Sequence, residues 1–195
     1  MPNYYSICVC LFILAGLLPA QNTKKVSSDV NPINFHLINE NGIGPISIGM
    51  TLSEVKKRYS ELKMERTTDG DGAALITVSK GEEELMVLYA GEDDVDAPID
   101  WSKKIESIET FDSLCLIDGK LHPGSFVNDV EKQYGKVKEI IESETESRQY
   151  ATFQNQPQEF GFRINYCGEF NGELKVTNKF SKDCRLMSIV IYERK

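Results

Sequence analysis

Two segments of this chain, 75 residues apart, carry the same stripe of apolar side chains. Gly49-Met50-Thr51-Leu52-Ser53-Glu54-Val55-Lys56-Lys57-Arg58-Tyr59 aligns with Gly124-Ser125-Phe126-Val127-Asn128-Asp129-Val130-Glu131-Lys132-Gln133-Tyr134, with identity at Gly, Val, Lys and Tyr. Leu52, Val55, Tyr59 and Leu62 are spaced 3, 4, 3, and Val127, Val130, Tyr134 and Val137 repeat the spacing. That period puts each set on one face of an α-helix. Thr51 with Glu54 predicts a capping box, whereas Ser125 sits one position earlier in its segment and is expected to cap alone. Gly49 and Gly124 suit a strand-to-helix turn that needs positive φ.

Helices this short are unstable alone, so each must lay its stripe on a sheet. Suitable strands follow in both copies. Residues 73–78, 85–89 and 105–111 alternate or run apolar between turn signals such as Asp69-Gly70-Asp71-Gly72 and Lys80-Gly81. Residues 150–153, 160–165 and 186–192 do the same, with Asn171-Gly172 as a hairpin turn. The last strands share Ile105-Glu106-Ser107-Ile108 against Leu186-Met187-Ser188-Ile189, an offset of 81 that a six-residue insertion explains. The expected fold is α+β, two related helix-plus-antiparallel-strand units packed into one domain or two small halves. Residues 1–20 read as a signal peptide, 21–40 as an N-terminal extension, 41–111 as the first unit and 112–195 as the second.

Ile7 to Ala20 is an uninterrupted apolar run of 14 residues that ends in small side chains and is followed by Gln21-Asn22-Thr23-Lys24-Lys25. A membrane span needs roughly 20 residues, so the run matches the apolar region of a signal peptide cleaved after Ala20. No Lys or Arg precedes the run and two lysines follow it, the charge order of a retained N-out anchor. Neither Cys8 nor Cys10 has the preceding small residues of a lipoprotein signal. The expected location is periplasmic or secreted, with no stable membrane span after cleavage.

The net charge of −8 lies entirely beyond Ala20, and such a surface repels phosphate backbones, which argues against nucleic-acid binding. Beyond the same point three cysteines remain, Cys115, Cys167 and Cys184. In an oxidising compartment an odd count allows one bridge and one free thiol, and Cys167 with Cys184 is the expected pair, three buried thiols being the alternative. Metal ligation is not expected, because there is no C-x-x-C pair and His36 and His122 are the only histidines.

The segment Ile46-Ser47-Ile48-Gly49-Met50-Thr51-Leu52-Ser53-Glu54-Val55 resembles the G-M-T-plus-helix opening of the small outer-membrane-assembly lipoproteins of the BamE/SmpA type. Two such units in tandem resemble the architecture of β-lactamase inhibitory protein. The resemblance spans most of residues 40–193 and implies an envelope binding or scaffold fold, with no catalytic residues to carry over. The chain departs from those lipoproteins in lacking a lipobox cysteine.

Other chemistry finds little support. His36 and His122 are not near a G-x-S-x-G turn, and Cys115 lies in an apolar context suited to a core strand. The acidic loop Glu92 to Asp100 lacks the alternating oxygen ligands, central Gly and distal Glu of a calcium loop and reads as a solvated charge run. Trp101 lies outside the helix-strand pattern, either as an exposed anchor for a partner or as closure of the core edge. Arg148 is either a recognition residue or the partner of a nearby carboxylate. The expected function is a non-catalytic binding module for a protein partner in the envelope, without a cofactor; an envelope hydrolase or a purely structural envelope protein are the alternatives.

Overall fold

The computed structural model describes residues 33–69, 72–143, 148–172 and 175–193. The apolar run from Ile7 to Ala20, with its cleavage position, lies outside the described residues. Three short strands come first, β1 (Leu37–Asn39), β2 (Gly42–Ile43) and β3 (Ile46–Ser47). Helix α1 (Leu52–Arg58) leads into β4 (Leu62–Thr68), β5 (Ala74–Lys80), β6 (Glu83–Tyr89) and β7 (Ser107–Thr110). After β8 (Leu116–Ile117), helix α2 (Val127–Tyr134) leads into β9 (Val137–Glu142), β10 (Gln149–Phe153), β11 (Phe160–Ile164), β12 (Val176–Thr177) and β13 (Leu186–Tyr192).

The expected α+β class is corrected by the sheet. The fold is mostly β, with 43% of the described residues in strands and bridges against 10% in helices, and the strands that follow the two helices form one nine-stranded sheet in the order β12-β9-β10-β11-β13-β7-β6-β5-β4. Its centre is the antiparallel pair β7 and β13, in register from Ser107 with Tyr192 to Thr110 with Ile189. The last strand of each set would otherwise present unpaired backbone, and each satisfies the other. Two helix-plus-strand units therefore do not pack as separate bodies, and their helices, of 7 and 8 residues, only cover the shared sheet.

Both helices are shorter than the apolar stripes suggest. Chain continuation is broken at Tyr59, whose ψ is 64°, and at Gly135, whose φ is 80°. Leu62 and Val137 are consequently the first residues of β4 and β9 rather than a last helical turn, and they reach the core from the sheet. Gly135 right after Tyr134 was the signal for the stop.

The start of α1 follows its sequence. Glu54 N–H donates to Thr51 Oγ1 at 3.2 Å and Thr51 N–H to Glu54 Oε2 at 2.9 Å, closing the capping box. Helix α2 does not use Ser125 as its cap. Its N-cap is Phe126, which makes no side-chain cap hydrogen bond, and Ser125 Oγ instead accepts the His122 N–H at 3.0 Å. Gly49 and Gly124 do take positive φ, 80° and 98°.

The helix starts dock on the sheet in the same way. Gly49 N–H donates to Ile105 O at 2.8 Å and Leu52 N–H to Lys103 O at 3.0 Å; Gly124 N–H donates to Leu186 O at 2.8 Å and Val127 N–H to Cys184 O at 2.9 Å. Thr51 bridges Lys104 as Phe126 bridges Arg185.

A second sheet, β3-β2-β1-β8, lies with the helices over the same face of the large sheet, and one continuous core includes Ile38, Ile43, Ile46, Leu52, Val55, Ile76, Ile108, Val127, Val130, Phe162 and Ile189. Residues 35–39 of the N-terminal extension belong to this core through Phe35 and Ile38, and β1 pairs parallel with β8. Phe162 sits among Tyr134, Phe153 and Phe160, with ring centroids 5.9, 5.6 and 6.2 Å away. Cys167 and Cys184 form the disulfide, with Cα atoms 5.2 Å apart, and Cys115 is free and buried.

Candidate functional site

Residues directly opposite in a sheet share a face, so the register tells which side chains point away from the core. Ile191 pairs with core Ile108, and Ile189 with Thr110; the residues between them, Val190 and Glu109, therefore point outward together. From that pair the outward row runs one way through Val87, Thr77 and Glu65. Next to it, Ser188, Arg163, Tyr150, Ile141 and Val176 form a second outward row through β13, β11, β10, β9 and β12. This open face carries Phe111, Ile141, Val176 and Tyr192, each 40–50% exposed.

The face is held in shape by local contacts. Tyr192 lies over Gly161, where an added Cβ would stand 2.7 Å from the ring edge; Gly161 is the residue that allows the ring to lie there. Ser188 Oγ donates to Glu109 Oε1, which satisfies a hydroxyl that is fully buried at the centre of the sheet. A depression of about 280 Å³ opens beside Glu109, bounded by Thr67, Thr77, Phe111, Arg148 and Arg163. Arg163 sets its guanidinium 5.9 Å from the Phe111 ring and makes no ion pair among the described residues.

Arg148 lies on the rim of this depression. Its Nη1 is 3.5 Å from Asp69 Oδ2, and its Nη2 donates to Asp69 O at 3.0 Å. Both side chains are largely buried, and the pair ties the start of β10 to the end of β4 across the depression. Trp101 is elsewhere. It is half-buried against the core on the helix side, its carbonyl accepts the Ser53 N–H at 2.9 Å, and Lys56 Nζ stands 3.9 Å from its ring centroid. The structure does not bring the two residues together. Arg163 escaped sequence reading, although Phe160, Phe162 and Ile164 alternate inward around it and so direct it outward.

The acidic loop is only partly a solvated run. Asp93, Asp94 and Asp96 are exposed, whereas the Glu92 side chain is largely buried in a bidentate pair with Arg66, at 2.8 and 2.9 Å, and also accepts the Asp100 N–H. Arg66 donation holds the Glu92 carboxyl below its usual range. Burial pushes the Cys115 thiol up to about 11, and a thiol that stays protonated is a poor nucleophile. His122 Nδ1 lies 2.7 Å from Pro123 O, within its own turn.

No family model and no curated protein matches the sequence. In structure, the chain is similar to the uncharacterized protein yfeY from Escherichia coli, at a TM-score of 0.51 and 17% identity, over 79% of this chain and 97% of that one, a likeness of fold.

Proposed function

We propose that this chain is an exported, non-catalytic binding module that holds a protein partner on the open face of its nine-stranded sheet. The observation that carries the proposal is the set of exposed apolar side chains, Phe111, Ile141, Val176 and Tyr192, on a sheet whose other face is buried under helices. Exposed apolar groups gathered on one face mark interaction surfaces more than solvated ones. Arg163 adds a half-buried guanidinium that makes no ion pair among the described residues, so the favoured partner presents an acidic side chain beside an apolar patch. In this reading Arg148 supports the rim and Trp101 closes the core edge.

Export rests on the apolar run before Ala20, and the Cys167–Cys184 bridge is compatible with an oxidising compartment, periplasmic or extracellular. Descent of the two halves by duplication belongs to the same proposal. It is supported by the helix-docking hydrogen bonds, whose residues differ by 75 on the helix side and 81 on the strand side, the offsets of the sequence alignment. The BamE/SmpA-type resemblance at Gly49-Met50-Thr51 agrees with an envelope role.

Affinity capture from envelope extract tests the proposal. The immobilised wild-type protein is expected to retain a partner that the double variant Phe111→Ser, Arg163→Glu releases, while Trp101→Ala on the helix side retains it. Capture of nothing by the wild type, or equal capture by the double variant, removes the open face as the binding surface.

A further inference from the structure

We propose that His36, Glu83 and Asp112 together hold one divalent transition-metal ion, of which zinc best fits the donor set. The three residues come from separate stretches: His36 just ahead of β1, Glu83 at the first position of β6, and Asp112 two residues beyond β7. One nitrogen and two carboxylate oxygens suit a borderline metal better than calcium or magnesium, which take oxygen alone.

The spacing of the donors matches a bound ion. His36 Nε2 is 3.3 Å from Glu83 Oε1 and 3.5 Å from Asp112 Oδ2, and the three donor atoms lie within 4.8 Å of one another. Tetrahedral zinc with ligands at about 2.0–2.2 Å sets neighbouring ligand atoms about 3.3–3.6 Å apart. Both histidine edges already have that length. The remaining edge closes by rotation of Glu83, the most exposed of the three at 43%.

Neighbouring groups orient the donors. Asp112 Oδ1 accepts the Leu114 N–H at 2.8 Å, which leaves Oδ2 to face His36, and the Cys115 thiol donates to Oδ2 from the buried side at 3.9 Å. His36 is fixed through its backbone: its N–H donates to Asn34 Oδ1 at 2.8 Å, and its carbonyl accepts the Leu116 N–H at 2.8 Å. Such outer contacts are what hold metal ligands in place.

Charge points the same way. Glu92 is answered by Arg66, Glu131 by Lys136 and Glu142 by Lys175. Glu83 and Asp112 have no Lys or Arg at ion-pair distance among the described residues, and they converge on one imidazole. Lys80, opposite Glu83 in the β5–β6 register, sets its ammonium over the Phe35 ring instead, 4.8 Å from the centroid. A dication neutralises both carboxylates and uses the imidazole lone pair, whereas a neutral imidazole leaves two like charges facing each other.

Calorimetric titration of the untagged protein with zinc chloride at neutral pH tests the site. One equivalent is expected to bind, and His36→Gln and Asp112→Asn are each expected to weaken it at least about tenfold. Circular dichroism checks that the variants stay folded, and Glu83→Gln, at the most exposed ligand, provides the same comparison if either of the others does not. His122→Gln removes the chain's other histidine and is expected to leave the isotherm unchanged. Absence of saturable binding to the wild type, or unchanged affinity in folded His36→Gln, overturns the site.

Discussion

The half of the protein built on α1 and the half built on α2 dock their helices with equivalent backbone hydrogen bonds, yet each is closed by different chemistry. At α1 the helix start is capped from within, by Thr51 and Glu54. At α2 the cap residue is Phe126, whose ring lies under the Arg185 guanidinium at 3.6 Å, and Ser125 is turned to the His122 N–H. The loop that feeds β7 is pinned by the Arg66–Glu92 ion pair. The loop that feeds β13 is pinned by the Cys167–Cys184 disulfide, whose Cys184 carbonyl accepts the first N–H of α2. A shared stripe and sheet position are thus compatible with a capped helix and an ion-paired loop in one half and an uncapped helix and a covalently closed loop in the other.

Removing these closures one at a time separates the halves. The largest effect is expected from the disulfide. Its closed loop spans a sequence separation of 17, for which chain-entropy arguments give about 3 kcal/mol. Urea unfolding of Cys167→Ser, Cys184→Ser against wild type measures it, and a loss below about 1 kcal/mol would mean that the second half holds its loop by packing alone.

The counterpart in the first half is Arg66→Met, which leaves Glu92 buried without its guanidinium. A loss of about 2 kcal/mol is expected, since hydrogen bonds to charged groups carry more than neutral ones and a buried charge left alone is costly. The same pair gives a pH dependence with a definite sign. Glu92 has its folded pKa lowered, first by the Arg66 hydrogen bonds. Its contribution is therefore complete above the ordinary carboxylate pKa and is lost as pH falls through the lower folded value. Stability of Glu92→Gln is expected to fall less steeply with acid than that of wild type. An equal acid slope for the two proteins would assign the acid sensitivity to other carboxylates.

The smallest effect distinguishes the helix starts. Thr51→Ala removes the capping box and is expected to cost about 1 kcal/mol. Phe126→Ala at the equivalent position removes no cap, only an exposed cation–π contact of about 0.5–1 kcal/mol. Thermal unfolding midpoints of the two variants compare them directly, and a larger loss at Phe126 would show that packing of its ring under Arg185 replaces the missing cap.

Legibility in the sequence followed the range of each interaction. Short-range chemistry was readable: the Thr51 and Glu54 capping box, the positive φ at Gly49 and Gly124, the alternation that builds β5, β10 and β11, and the apolar run that builds β13. The cysteine pair was readable because an odd count allows one bridge and Cys167 and Cys184 each lie near a strand, joined by a segment that can turn back. Leu62 and Val137 were not, since an apolar residue three positions after a helical stripe fits either a further helical turn or the first inward position of a strand. The period alone does not decide between them. Strands β1, β2, β3 and β8, of two or three residues each, are too short to show alternation at all.

The open face and the His36 cluster belong to the opposite extreme. The alternation of Phe160, Phe162 and Ile164 directs Arg163 outward, but that Arg163 and Tyr192 share a face with Phe111, Glu109 and Ile141 depends on the β7–β13 pairing that joins the two strand sets. His36 and Glu83 are 47 residues apart, and no spacing rule connects them to Asp112. Local hydrogen bonds and helix faces follow from neighbours along the chain, and the sequence alone was sufficient for them. Which strand edges meet, which side chains converge around His36 and whether the two helix-plus-strand units make two bodies or one sheet depend on non-local pairing. There the backbone groups of one segment are satisfied only by another that the chain brings back from a distance, and only the folded structure decides it.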